Sequence, residues 1–432
     1  MPWVAFTLLA VVGLVLLGTR LGYRDIDVWG TLVLPAILFA VVAPIVAAIE
    51  RRQAEPLVGL VVGALAARLV GAMVRYLVSF HVYEGADPQT YHLAAIEIAR
   101  QFWHGDLTLW QLIPRGSSTE FTKQLAGLVE TFTGQSKVGA FMVFTVFSYI
   151  GAVLMLTAAR IAVPGLMTRR YALLVLFLPS MLYWPSSLGK DGPMQLGIGL
   201  AAYGAARIFT GSAGGWLWGA AGVYLAGQIR PHVAVLLVGA VTLAFVAGGR
   251  QGGTGLGPVP RILGGVLLVG GMTVALGAMS AKFGEFSAAD PLSSTTALLE
   301  KTGAQTSQGG SAVDVATPNS PLAYPYAAFT VLFRPLLFEA DSASTAASAL
   351  EGTALLVLAW LRRSDLRHGI ATARANRYLV FLLVYSVTFA LAWSSVGNLG
   401  IIARQRCMML PLLAVLVCVA SSPGPRRKLV VT

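Results

Sequence analysis

Residues 57–80 read LVGLVVGALAARLVGAMVRYLVSF, and Arg68 and Arg75 are the only charges in the run. A helix of about twenty apolar residues crosses the hydrocarbon of a bilayer at 1.5 Å rise per residue, so this stretch reads as a spanning helix. Lipid offers a backbone no hydrogen bonds, which leaves the helix as the form such a run takes. Arg68 and Arg75 lie seven residues apart and share one face, which must turn to the bundle interior or to water. They line a cavity or form structural ion pairs; the sequence leaves both open.

The same criterion, applied outward, places spans near 2–18, 29–48, 57–80, 138–159, 171–184, 193–209, 215–229, 232–248, 262–279, 343–361, 378–395 and 407–421. The chain of 432 residues is 56% hydrophobic and 12% charged, about half the charge of a soluble domain. The expectation is an all-α polytopic integral membrane protein with about twelve transmembrane helices, residues 1–432 forming a single transmembrane domain. The first apolar stretch lacks a basic leader and a small-residue cleavage site, so it reads as a retained span. No internal repeat is evident. Cys407 and Cys418 lie eleven residues apart in one apolar run, about 16 Å along a helix, too far for a disulfide. No Cys/His cluster has metal-ligand spacing.

With the N-terminus inside, the inner side, counting Arg207 at the inner end of the 193–209 span, holds 16 Lys+Arg and 3 Asp+Glu, and the outer segments hold 13 and 15. The remaining charges, Arg68, Arg75 and Glu351, fall within spans. Inside is therefore +13 and outside −2, which orients the chain in a cytoplasmic (inner) membrane with both termini cytoplasmic. The inner loops account for the net charge of +12, so no nucleic-acid partner is implied; membrane lipids are the surroundings. Topology does not require the outer basic residues, which sit in short polar motifs at helix mouths.

Two outer segments are long. In 81–137, Asp87-Pro88 reads as a helix start with Asp87 as cap. Tyr91, Ala95, Ile98 and Phe102 follow at helical spacing, with Trp103 and Trp110 beyond, the pattern of an amphipathic helix at the interface. In 280–342, Ser293–Ser311 reads as a mobile loop. Tyr324–Phe338, interrupted by Pro325, Arg334 and Pro335, reads as a re-entrant or interfacial piece.

Five outer motifs carry possible chemistry. Asp87, with Tyr91 and His92 nearby, offers a carboxylate able to act as general base on a sugar hydroxyl; His92 itself reads as a surface imidazole. Trp184-Pro185-Ser186-Ser187-Leu188-Gly189-Lys190-Asp191 ends in a Lys–Asp pair, Lys190 suited to phosphate and Asp191 to capping the next helix. Arg230-Pro231-His232, Phe333-Arg334-Pro335 with Glu339, and Arg404-Gln405-Arg406 place arginines on the same face. A guanidinium grips phosphate oxygens in pairs, and the bland alternative is snorkelling or pairing with an acid such as Glu339. Asp25-Ile26-Asp27 reads as balancing Arg20 and Arg24.

On Ala86-Asp87 with Tyr91, Trp184–Asp191, Arg230-Pro231-His232 and Arg404-Gln405-Arg406, the chain resembles the multi-spanning glycosyltransferases of the GT-C class that use polyprenyl-phosphate sugars, and the related polysaccharide polymerases. The resemblance covers 80–410 in layout but about thirty residues in motif. It implies Asp87 as the base and Arg230, Arg404 or Arg406 as phosphate ligands. The substrate-binding set would be Tyr91, His92, Lys190, Asp191, Arg230, His232, Arg334, Glu339, Arg404 and Arg406. In that class the acidic loop usually follows the first span, whereas here it follows the third. The partners implied are a polyprenyl-(pyro)phosphate-linked sugar donor and a glycan, lipid or protein acceptor, in cell-envelope polysaccharide or glycoconjugate assembly. No cofactor is called for, and a divalent metal is left open. A transporter or flippase of a lipid-linked glycan, and a non-enzymatic membrane scaffold, are the competing classes.

Overall fold

The computed structural model describes residues 26–247, 324–340, 343–394, 396 and 398–420. The expected spans near 2–18 and 262–279, the Ser293–Ser311 loop, and Arg20, Arg24 and Asp25 lie outside the described residues. The fold is all-helical, and the Leu166–Val419 contact is an isolated antiparallel bridge.

Among the described residues three helices are long and apolar enough to cross a membrane: Trp29–Glu50 within α1 (Ile26–Glu50), α2 (Val58–His81) and α5 (Lys137–Ala162). Two bent pairs raise this to five if each is one span. One joins Arg363–Ala373 to Arg377–Trp393 at 113°, the other Leu399–Met408 to Leu410–Cys418 at 54°. Leu32, Ile37, Val41, Ile45 and Ile49 on α1, and Val70, Val74 and Leu77 on α2, are exposed. Faces of that composition suit lipid rather than water.

The chain divides into two compact units. The first comprises Met1–Leu154, Leu176–Gly199 and Tyr224–Arg230. Here α2 packs on α7 (Pro179–Tyr183) through the face that carries both arginines. Arg68, wholly buried, donates to the Met181 carbonyl at 2.7 Å and the Ser148 hydroxyl at 3.0 Å. Arg75 donates to Tyr183 Oη at 2.9 Å and lies over the rings of Tyr183 and Trp184. Between them Gly71 lets the backbones close, since a β-carbon there would stand 2.5 Å from the Leu182 carbonyl oxygen.

The span expected at 171–184 is broken. α6 (Thr168–Phe177) stops before Leu178, whose φ of −54° and ψ of 134° are extended. Proline forces that shape on the residue before it, and Pro179 then opens α7. An apolar count over 171–184 does not register this break.

α8 (Asp191–Phe209) meets α5 backbone to backbone within this unit. A β-carbon on Gly192 would lie 2.5 Å from the Phe144 carbonyl oxygen, and one on Gly199 2.4 Å from that of Gly151. Small residues at such crossings let helices associate by close packing where lipid supplies no hydrophobic drive.

Within residues 81–137, α3 (Ala86–His104) and α4 (Thr119–Thr133) fold as a hairpin. Tyr91 and Ala95 are buried, Ile98 sits over Gly127, and Phe102 meets Phe132 at 6.1 Å. The stripe assigned to the interface therefore packs on α4. Trp103, Leu109, Trp110 and Phe132 are exposed instead.

The second unit holds Met155–Val175, Leu200–Val223 and Pro231–Thr432. Its described helices include α10 (Pro231–Ala247), which packs on α14 (Arg377–Trp393), and α11 (Tyr324–Phe333), which contacts α12 (Ala343–Leu361) and α14. Asn376 caps α14 by accepting from the amides of Tyr378 and Leu379, and donates to the Ala162 carbonyl. Arg170 pairs with Asp365 at 2.9 Å, and Tyr171 Oη donates to the Pro411 carbonyl. Cys407 and Cys418 are buried, and neither is in a disulfide.

These contacts generate a contrast between glycines. Gly199→Val forces a branched side chain into the Gly151 backbone and should destabilise the detergent-solubilised protein by about 1–3 kcal/mol or more. Gly59→Ala, where nothing lies within 4 Å, should be neutral or slightly stabilising. Thermal unfolding followed by circular dichroism separates the two; equal midpoints would contradict the α5–α8 packing.

Candidate functional site

Four segments of the first unit meet around residues 184–191. The chain from Trp184 to Lys190 is not α-helical, and Pro185 through Gly189 are buried within it. Non-helical backbone at such depth persists where protein or a cavity surrounds it. α2 supplies Arg75 against Trp184, and α3 lays the Tyr91 ring against Gly189, 3.5 Å from where a β-carbon would stand. The start of α4 and the end of α9 (Gly215–Ile229) complete the surround.

Asp191 lies in the first turn of α8, where the helix dipole favours a carboxylate. Its side chain is 1% exposed and pairs with Arg230 at 3.0 Å. Arg230 is positioned by a chain break: its amide closes α9 on the Ala226 carbonyl, and Pro231, lacking an N–H, opens α10. Lys190, one residue before Asp191, donates to Ser118 Oγ at 3.1 Å and Thr119 Oγ1 at 2.9 Å. Ser118 is the N-cap position of α4, with φ of 58°, and its amide donates to the Gln228 carbonyl. Residues far apart in sequence thus assemble an ammonium, a guanidinium, a carboxylate and two hydroxyls.

Two expectations on α3 need correction. Asp87 is not its cap: Gly85, with φ of 92°, holds the N-cap position, and Asp87 is exposed in the first turn. His92 is not a surface imidazole. It is buried, its Nδ1 2.9 Å from Glu130 Oε1, and both side chains are at most 4% exposed. The pair joins α3 to α4 inside the hairpin.

The remaining expected residues belong to the second unit. Arg334 pairs with Glu339 through Nε at 2.7 Å and Nη2 at 2.5 Å, and Glu339 Oε2 accepts the Leu336 amide. Arg406 is buried, and its terminal nitrogens donate to the carbonyls of Leu332, Arg334 and Ser348. Those carbonyls include ones at the end of α11, where a helix leaves acceptors open. Arg406 is therefore an internal bracket for these carbonyls. Arg404 is half-buried in the last turn of α15 (Leu399–Gln405). His232 is half-buried against Trp393, ring centres 5.1 Å apart.

Sequence reasoning missed Ser118, Thr119 and Glu130. Gly116-Ser117-Ser118-Thr119 ahead of an apolar period is a helix-start signal, so the first two were within reach. Among the described residues no group of three or more His, Cys, Asp or Glu side chains is placed to hold a metal ion. No family model, curated protein or solved structure matches the chain.

Breaking a buried ion pair from one side strands a charge. Arg230→Gln should cost on the order of 3 kcal/mol, and adding Asp191→Asn should recover most of the loss, as chemical denaturation can measure. A double variant no better than the single would show that Arg230 does not serve as counter-ion.

Glu339 gives a pH dependence. Partial burial pushes its carboxyl up, but hydrogen bonds from Arg334 and the Leu336 amide, with the Arg334 charge, outweigh this and hold it below the ordinary 4.5. A depressed carboxylate stabilises the fold above its unfolded value, and that contribution is lost as pH falls through the folded value. The native protein should therefore lose more stability than Glu339→Gln as pH drops below 4.5; parallel acid limbs would contradict the assignment.

Proposed function

We propose that this chain is a membrane glycosyltransferase, of GT-C-like or polymerase type, moving a sugar or glycan from a polyprenyl-(pyro)phosphate donor on the outer membrane face. The observation that carries the reading is the meeting of Lys190, the Asp191–Arg230 pair, Ser118 and Thr119 beside the helix bearing Asp87 and Tyr91. Fixed cations with neighbouring hydroxyls suit a phosphate group. A lipid-linked donor accounts for a site at the end of apolar helices.

In this reading Asp87, exposed at the start of α3, takes the proton of an acceptor hydroxyl. The hydroxyl oxygen forms the new bond to the anomeric carbon as the carbon–oxygen bond to phosphate breaks, and the lipid (pyro)phosphate leaves with the electron pair. Lys190 and Arg230 stabilise the charge on that leaving group. About twelve spans, both termini cytoplasmic, and a cytoplasmic-membrane location complete the proposal.

Asp87→Asn preserves shape and, because Gly85 holds the cap position, leaves the start of α3 intact. The amide cannot accept the proton, and loss of a general base costs about 10²–10⁴ in rate. The purified protein, given polyprenyl-phosphate-linked radiolabelled sugars, should transfer label at a rate reduced to that extent by Asp87→Asn. Near-normal turnover by the variant would remove Asp87 from the chemistry, and movement of intact donor across the bilayer without transfer would make the chain a transporter.

A further inference from the structure

We propose that Arg75 is an anion-binding residue, the group that receives the phosphate of a phosphate monoester or diester entering the first unit. Arg75 is 9% exposed, and α2 is an apolar helix of membrane-crossing length. Its contacts are Tyr183 Oη on one terminal nitrogen and the faces of the Tyr183 and Trp184 rings, 4.8 and 5.0 Å from the guanidinium carbon. No carboxylate among the described residues pairs with it, and its buried Nε has no hydrogen-bond partner there.

Other arginines of the molecule show what a satisfied cation looks like here: Arg170 has Asp365, Arg230 has Asp191 and Arg334 has Glu339. Ring faces attract a cation, but less strongly than burial of an unpaired ion disfavours it. The tyrosine engages one terminal nitrogen, which leaves the edge formed by Nε and the other. That edge presents two parallel N–H groups, the fork that takes two oxygens of one phosphate.

Two buried hydroxyls without partners lie on the same segments. Ser79 Oγ is one helical turn beyond Arg75 on its own face, and Ser186 Oγ is two residues beyond Trp184. A tetrahedral oxyanion would supply acceptors of the kind these donors lack. Arg75 stands six residues before the end of α2, about 9 Å along the axis, which suits a headgroup phosphate attached to a chain in the membrane. The lipid chain rests on the function proposed above; the phosphate does not.

The test uses the full chain purified in an uncharged maltoside detergent, with thermal unfolding measured against decyl phosphate, inorganic phosphate and decanol. Decyl phosphate should raise the midpoint of the native protein, and decanol should not. A rise with inorganic phosphate as well assigns the site to free phosphate, whereas a rise with decyl phosphate alone assigns it to lipid. Arg75→Met should abolish the rise, and Arg52→Met, which removes an exposed charge, should keep it. Should Arg75→Met fail to fold, Arg75→Lys decides: an affinity at least about tenfold weaker supports the fork, and an unchanged affinity overturns it. No rise with either phosphate, or an equal rise in Arg75→Met, also overturns the proposal. Binding without sugar transfer would leave the anion site standing and remove the enzyme reading.

Discussion

A charge or a backbone carbonyl held among apolar helices must find its partner inside the protein, and much of this architecture follows from that demand. Arg68 shows the solution within the first unit. Its guanidinium, wholly buried, holds the Met181 carbonyl of a helix five residues long, while Gly71 lets that helix approach. Arg406 does the same in the second unit for carbonyls at the end of α11. Short and interrupted helices become tolerable because long cationic side chains reach their open ends.

The same demand sets apart the stretch from Trp184 to Asp191. Pro179 and Leu178 interrupt the helix, the chain continues buried and non-helical, and α8 restarts at a carboxylate held by Arg230. Such a stretch is a cost to the fold unless it positions something. What it positions is Lys190 against two hydroxyls, and Trp184 against a buried arginine. The second unit's arginines, in contrast, mostly satisfy the protein's own groups. Arg334 has its glutamate, and Arg406 has three carbonyls.

Hydrophobic runs were legible because their signal is local. The stretches near 29–48, 57–80 and 138–159 appear as α1, α2 and α5 within a few residues at each end. The shared face of Arg68 and Arg75 also followed from spacing, and both turn inward as that face required. What failed was whatever depended on a distant partner. The Tyr91–Phe102 stripe looks the same whether it meets lipid or α4, and the decisive partner, Gly127, lies in the next helix. His92 looked like a surface imidazole because nothing nearby announces Glu130, 38 residues on. The cap of α3 was misassigned because a glycine with positive φ competes with Asp87 for that position, and sequence ranks the aspartate higher. The cluster at Lys190, Asp191 and Arg230 was legible as separate short polar motifs, but Ser118 and Thr119 entered only through the fold.

The account stands most directly on where a lipid phosphate rests. Cryo-electron microscopy of the full chain in nanodiscs, with and without a short-chain polyprenyl phosphate, locates it. The account predicts added density whose phosphate lies within hydrogen-bond distance of Arg75 or Lys190 and whose chain runs along the apolar helices. Phosphate density confined to Arg51-Arg52 or Arg169-Arg170, with none near Trp184–Asp191, would contradict it.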